Sequence, residues 1–509
     1  MSELKKFDSG QDWNFDDIED AYLRLEQIVQ DKYKFDYYPN QIEIIASEQM
    51  LDAYTSVGMP IYYNHWSFGR QFVAQQDQYR RGYTGLAYEI VINSNPCIAY
   101  LMEENTMCLQ TLVMAHASFG HNGFFKNNFL YKQWTDAGAI IDYLVFAKNY
   151  IRECEEKYGV DEVEAVLDAC HSLQYHGVDK YRRPSRLSAS ETERRKKERE
   201  EYLQSQLNDI WRTIPTFGDQ SSGDLRKDVF PKEPQENILY FIEKNAPNLD
   251  RWKREIIRIV RKLAQYFYPQ IQTRLMNEGF ATYMHYNLMQ DMYDRGHVTD
   301  GFMLEALDSH SKVVLQRNYT NKYYGGINVY SLGFEIYRDI ERICTNPTDE
   351  DRRWFPDWAG NGKPFETIMF AVKNFKDDSF VLQYLSPKVM RDYHLFHVID
   401  DDRNEMYYDV GGIHDDDGYR EVREELARSY TISEKIPDIQ ITKVHRWTNR
   451  SMELVHTATN RRSLHERDAR KTIENIKFLW GYDATVYSFN VEPDGKKVPL
   501  SLFSTATVI

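Results

Sequence analysis

The tightest constraint on this chain is a pair of short stretches, Met114-Ala-His-Ala-Ser-Phe-Gly-His121 and Leu275-Met-Asn-Glu-Gly-Phe-Ala-Thr-Tyr-Met-His285. The first places two imidazoles at the end of an apolar run. The second places the Glu278 carboxylate and the His285 imidazole seven residues apart in a segment of helical character. Imidazole and carboxylate together are the donor set of zinc and other divalent transition-metal sites. His116, His121, Glu278 and His285 are therefore the candidate metal ligands, with zinc the expected ion.

Helix geometry makes this assignment demanding. His116 shares a helical face with Leu109, Leu112 and Val113 and so points into a core, as a ligand or as a hydrogen-bonded core histidine. His121 lies five residues on, about 140° away around a regular α-helix, on the wrong side for joint chelation. Two geometries remove the obstacle. A π-type bulge near Phe119-Gly120 would return positions i and i+5 to one side, and such bulges cluster at functional sites. Alternatively the helix ends at Gly120 and His121 folds back. Glu278 and His285 share a face but stand about 10 Å apart along the axis. Both meet one site only if it lies between helices or holds two metals. Otherwise Glu278 pairs with a cation such as Arg274, and His285 is a core or supporting histidine.

Asn277-Glu-Gly-Phe-Ala-Thr-Tyr283 has the form Asn-Glu-Gly-x-Ala-x-Tyr. It resembles the segment that supplies the glutamate ligand in aminopeptidase-type zinc peptidases of the gluzincin group. Strands followed by a helix that ends in histidines is the element order of those enzymes, an analogy of order only. One departure bears on catalysis. Such peptidases carry His-Glu-x-x-His, whose glutamate activates water, whereas Ala117 follows His116 here. A general base must come from elsewhere. Glu103 and Glu104, at the start of the helix, are the candidates, with Glu89. His65 in Asn64-His-Trp66 and Tyr283 are candidates for substrate contact or a supporting role. His171 in Cys170-His-Ser-Leu173 is a further candidate ligand or supporting group. The aspartates Asp400–Asp402 and Asp415–Asp417 lack the spacing of a calcium loop and read as exposed turn residues.

Composition narrows the partners. The 63 basic and 78 acidic residues leave a formal charge of −15, which gives no general affinity for nucleic acid or anionic lipid. Five cysteines without a CxxC fit reduced thiols in a cytosolic setting. No apolar run reaches the roughly 20 residues of a membrane helix, and no signal peptide is read. The expectation is a cytoplasmic protein that meets neither nucleic acid nor membrane.

Residues 17–58 are expected to be helical. Strands are expected at 61–68, 86–92 and 97–102, then a helix over about 104–119. Residues 131–180 read as mostly helical. The charged run 182–201, with a capping box at Ser190 to Glu193, reads as a helix to about Arg212. It is either a solvated connection or a regulatory or docking segment. A polar loop follows over 218–232, and 236–295 is helical with a break at Pro269. Beyond residue 385, strands at 395–399, 406–410, 439–444 and 451–455 and helices at 418–429 and 466–479 make a small α+β module. The fold class is α+β, predominantly helical, with a zincin-like helical core and a short sheet. The division expected is 1–180 with the histidine motif, 181–235 as a charged linker, 236–385 with the Asn-Glu-Gly motif packed on 1–180, and 386–509 as an interaction or regulatory module.

The chain also resembles the SpoVR family, named for stage V sporulation protein R. Matching segments include Tyr63-Asn-His-Trp-Ser-Phe-Gly69, Leu86-Ala-Tyr-Glu-Ile-Val-Ile-Asn93 and Gly120-His-Asn-Gly-Phe-Phe-Lys-Asn-Asn128. Others are Gly177-Val-Asp-Lys-Tyr-Arg-Arg-Pro184, Met276-Asn-Glu-Gly279, Gly325-Gly-Ile-Asn328, Trp354-Phe-Pro-Asp357 and Leu385-Ser-Pro-Lys-Val-Met-Arg391. The charged segment and the C-terminal module are similar to the long bacterial form. The resemblance implies a link to the spore cortex, a peptidoglycan layer. In bacteria that do not sporulate it implies the company of a PrkA-type serine kinase and a von Willebrand-type protein. Two functions follow as expectations. One is a metal-dependent hydrolase of amide bonds acting on a cell-wall peptide. The other is a non-enzymatic stress or sporulation factor whose zincin-like relic site binds a partner such as the kinase.

Overall fold

The structure is a computed structural model that describes residues 5–47, 49–50, 62–66, 89–181, 194, 197–198, 230–318, 321–395, 397–400, 408–411, 416–458, 462–492 and 496–506. The architecture is α+β and predominantly helical, with three small sheets among the described residues. Compactness divides the chain into residues 1–164 with 265–436, and residues 165–264 with 437–509. The two units interleave along the chain, whereas the divisions drawn from sequence at 180, 235 and 385 are consecutive.

In the first unit, α1 (Phe15–Ile28) opens with a capping box in which Asn14 accepts from the Asp17 amide. The expected helix over 17–58 does not run its full length. A π-helical turn, Val29–Tyr33, follows α1 and closes on Lys34 at φ 53°. The chain then enters β1 (Asn40–Ile45), which pairs in parallel with β3 (Cys97–Met102). β2 (Glu89–Ile92) flanks β3 on its other side, antiparallel. Residues 40–45, inside the segment expected to be helical, form a strand whose partner lies more than fifty residues away. The strand expected over 61–68 is not formed at Tyr62–Trp66. Its other residues, and the charged helix over most of 182–212, lie outside the described residues.

Helix α2 (Met107–Met114) is capped by Thr106, whose side chain accepts from the Leu109 amide. It does not stop at Gly120. Residues Ala115–His121 continue it as a π-helix, and α3 (Asn122–Asn127) carries it further. The long helix Arg251–Gln272, α4, runs through Pro269, and the break expected there falls at Thr273. The Thr273 hydroxyl donates to the Pro269 carbonyl.

Helix α5 (Arg274–Asp294) is the central element. It buries Met276, Gly279, Phe280, Ala281, Thr282, Tyr283, Met284 and His285 in succession, so it has no solvent face through its middle. Any polar side chain there must find its partner inside the protein. Glycine sets how closely its neighbours approach. A Cβ on Gly279 would stand 2.5 Å from the backbone of Gly333 on α7 (Val329–Thr345), and one on Gly120 would stand 2.5 Å from Ala281 Cα. The Asn-Glu-Gly stretch thus touches one helix backbone to backbone, while the π-helical stretch seats Gly120 on its other side. Between α5 and α7 in the chain lies α6 (Asp300–Val313), capped by Thr299. The carboxylate of Asp377 takes the Leu275 and Met276 amides and so anchors the start of α5. A two-stranded ribbon, β4 (His397–Asp400) with β5 (Tyr408–Gly411), also belongs to this unit. Asp416 and Asp417 open a helix to Tyr430, so they are its first turn and not the loop expected.

The second unit holds a four-stranded sheet in the order β6 (Asp438–Val444), β7 (Met452–Ala458), β8 (Ala484–Val491), β9 (Lys497–Ser504). β7 and β8 are parallel, and helix α8 (Glu466–Trp480) connects them, as a parallel pair requires. Ile473, Ile476 and Leu479 of α8 are buried, as are Leu454 and Val486. β8 and β9 are strands beyond those expected from sequence. No helix among the described residues is long and apolar enough to cross a membrane.

Candidate metal centre

The π-helical stretch solves the spacing problem of the two histidines. Its Asn122 amide donates to the Ala117 carbonyl, an i→i+5 link. The extra residue in the turn brings His116 and His121 together, with ring centroids 4.7 Å apart. Asn122 pins the turn from outside, since its side chain donates to the Tyr38 carbonyl and accepts from the Tyr38 amide.

Both imidazoles turn Nε2 toward carboxylates. His116 Nε2 stands 3.2 Å from Glu89 Oε1, and His121 Nε2 stands 3.6 Å from the same oxygen. His121 Nε2 is also 3.6 Å from Glu278 Oε2. Glu89, His116 and His121 each offer a ligand atom within 4.8 Å of the others. Both Nδ1 atoms are held from behind. His121 Nδ1 meets Asn277 Oδ1 at 3.0 Å, which makes Nδ1 a protonated nitrogen and turns Nε2 toward the carboxylates. His116 Nδ1 meets His285 Nδ1 at 2.8 Å. Stacking locks the rings further, His121 on Phe125 at 5.9 Å and His116 on Tyr330 at 6.4 Å.

The electrostatics fit a cation. Burial pushes the Glu89 carboxyl above its usual value; His121 opposes that shift and Glu278 adds to it. Burial works against the His121 cation, but Glu89 and Glu278 outweigh it and raise its pKa to about 9. Two carboxylates thus share one region and draw positive charge into it. Burial, followed by His121, His285 and His310, holds His116 well below the usual imidazole value, so it is neutral.

A tetrahedral ion bound at about 2.0–2.1 Å needs donor atoms about 3.3 Å apart. The histidine-to-Glu89 separations of 3.2 and 3.6 Å lie close to that, and the three ligand atoms all fall within 4.8 Å of one another. Glu278 Oε2 is buried without a hydrogen bond of ordinary length, with His121 Nε2 3.6 Å away. The residues present therefore suit a divalent transition metal.

The structure brings His116, His121, Glu278 and His285 together, His285 behind His116 and not beside the carboxylates. It does not bring Glu103 or Glu104 there. Both are exposed in the turn between β3 and α2, and Glu104 accepts from the Ser47 amide at 3.2 Å. The carboxylate that touches both histidines is Glu89, delivered by β2. Tyr283 points elsewhere on α5 and donates to Glu341 at 3.2 Å. His171 belongs to the second compact unit. His65 is buried beside Trp66, with ring centroids 5.6 Å apart. Sequence reasoning missed Asn277, Tyr330 and His310. Asn277 had a signal, since it opens the Asn-Glu-Gly stretch; the other two had none beyond their residue type.

Fold and site together define an α+β protein with a buried cluster of two histidines and two glutamates. Residues 12–435 match the family described as SpoVR like protein, and residues 437–490 match the SpoVR-like C-terminal domain. The chain belongs to the SpoVR family. It is similar to a protein of Escherichia coli (strain K12) named "Uncharacterized protein YcgB", 54% identical over 486 residues that cover 95% of this chain and 94% of that one. No solved structure matches the chain.

Proposed function

We propose that this chain is a metal-dependent hydrolase of amide bonds, with zinc as its ion and a peptide derived from peptidoglycan as its substrate. The observation that supports this is the convergence of ligand atoms of His116, His121 and Glu89 within 4.8 Å, with the Glu278 carboxylate beside them. His116, His121 and Glu89 would hold the ion. When bound, zinc supplies a Lewis acid and lowers the pKa of a coordinated water.

The chain's own residues do the rest. Asn277 and His285 fix the two imidazoles. Glu278 is the group placed to take a proton from an attacking water, the role first assigned to Glu103 or Glu104. Tyr330 has its pKa raised by burial and then by Glu278 and Glu89, so its phenol keeps its proton and can donate to a substrate carbonyl. The element order, strands then a histidine-bearing helix, keeps the zincin-like comparison as part of this proposal. Peptidoglycan precursors or recycled fragments are the cell-wall peptides that a protein of the cytoplasm meets.

A second reading has its own support. His116 and His121 are 5% and 7% exposed, and two carboxylates beside them can close the coordination sphere. The protein would then be a stress or sporulation factor that binds metal without cutting, with a PrkA-type kinase and a von Willebrand-type protein as partners. Elemental analysis and an assay on muropeptides separate the readings. The hydrolase predicts about one equivalent of zinc and release of a new amine that ceases in Glu278→Gln. Bound zinc with no cleavage favours the second reading, and no metal uptake removes both.

A further inference from the structure

Behind the cluster stands a column of three histidines. His116 Nδ1 is 2.8 Å from His285 Nδ1, and His285 Nε2 is 2.8 Å from His310 Nδ1. All three rings are buried. The two contacts join ring nitrogen to ring nitrogen and link the three imidazoles in one line. A neutral imidazole has one N–H and one lone pair, and each nitrogen–nitrogen contact needs one of each. The whole column therefore has two arrangements.

In the first, His116 Nδ1–H donates to His285 Nδ1, and His285 Nε2–H donates to His310 Nδ1. His116 Nε2 then presents a lone pair beside Glu89. In the second, every donor is reversed, and His116 Nε2–H points at Glu89 Oε1. Passing from the second to the first removes a proton at His116 Nε2 and adds one at His310 Nε2. Each ring keeps one proton, and the column keeps its charge. Only the first arrangement can ligate a cation through His116.

We propose that His310 is a positioning residue for the metal centre, its Nδ1 accepting from His285 and so selecting the tautomers that free His116 Nε2 for the ion. The inference rests on the metal-binding reading above. His310 is well held for this role. Tyr286 and Phe334 pack on its ring at centroid distances of 4.8 Å each, so it cannot swing away from His285. It comes from α6, an element that contributes nothing else to the cluster. Partners that orient ligating histidines typically change metal affinity about 10- to 100-fold when removed.

The experiment measures zinc affinity by chelator competition on the full chain, with cobalt(II) absorption as a second readout and metal-free thermal melts as the folding control. His310→Leu removes the acceptor and is expected to weaken zinc about 10- to 100-fold and to alter the cobalt spectrum. His310→Asn places an amide oxygen near the position of Nδ1 and should restore both. Equal affinity in His310→Leu and the parent, or equal loss in His310→Leu and His310→Asn, would overturn the proposal. If His310→Leu does not fold, nitrogen chemical shifts of histidine-labelled, zinc-loaded parent protein decide. His285 must be the Nε2–H tautomer, and the Nδ1–H tautomer refutes the role. His116→Ala separates the two levels: zinc kept in that variant sinks the metal site itself, whereas zinc lost there but untouched in His310→Leu sinks only the positioning role.

Discussion

The contact of Gly279 with Gly333 is the sharpest test of how the fold builds the site. In Gly279→Ala the new Cβ would stand 2.5 Å from the Gly333 backbone, where ordinary contact begins near 3.4 Å, so α5 and α7 must part by roughly 1 Å. The clash is backbone against methyl, with no rotamer to turn, which puts it at the upper end of overpacking costs, about 3 kcal/mol. Alanine gains about 1 kcal/mol of helix propensity over glycine. The net expectation is a loss of about 2 kcal/mol. Gly301→Ala on α6 is the control, because its Cβ meets nothing nearer than 3.7 Å. That variant should be neutral or slightly stabilised. Urea titration of the metal-free protein measures both. Parting the helices also shifts Asn277 and Glu278 against His121, so zinc affinity should fall in Gly279→Ala and hold in Gly301→Ala. Equal behaviour of the two variants in the urea titration would refute the close-approach argument.

Three further outcomes are expected. His116→Ala and Glu89→Ala should each lower bound metal, by elemental analysis, while Asp416→Ala keeps it; full occupancy in both site variants removes the assignment. Asp377, which burial raises to about 7 despite its two backbone donors, should favour the folded state while protonated. The folded pKa lies above the usual value, so that contribution is full below about pH 4 and is lost as pH rises through about 7. The stability gap between the parent and Asp377→Asn, from urea melts at pH 5 and pH 8, should therefore shift against the parent at pH 8; a gap independent of pH contradicts this. Treating the protein with a strong chelator should abolish any muropeptide cleavage, and added zinc should restore it. Cleavage that survives complete metal removal rules out the proposed chemistry.

The sequence was most legible where chemistry and local spacing coincide. Two histidines five residues apart demanded a departure from α-helical geometry, and the π-helical stretch Ala115–His121 is that departure. The helices Glu466–Trp480 and Asp416–Tyr430 and the strands β6 and β7 follow from period and composition within a few residues. Local pattern misled where the answer lay in distant pairing. Ile42, Ile44 and Ile45 suit helix and strand alike, and only β3, more than fifty residues on, makes them a strand. Glu103 and Glu104 looked well placed because they precede the histidine helix, yet a turn gives them to solvent. Glu89 looked no better than they did, and the register of β2 on β3 brings it to both imidazoles.

What the residues settled alone was the need for an irregular helix between His116 and His121 and the mostly helical class, because these depend on spacing and periodicity along one segment. What only the tertiary structure decided was which carboxylate meets which imidazole, that His285 stands behind His116 with His310 behind it, and that the compact units interleave. Those are relations between separate segments, 25 residues apart for His285 and His310 and 169 for His116 and His285, and no period within a single segment encodes them.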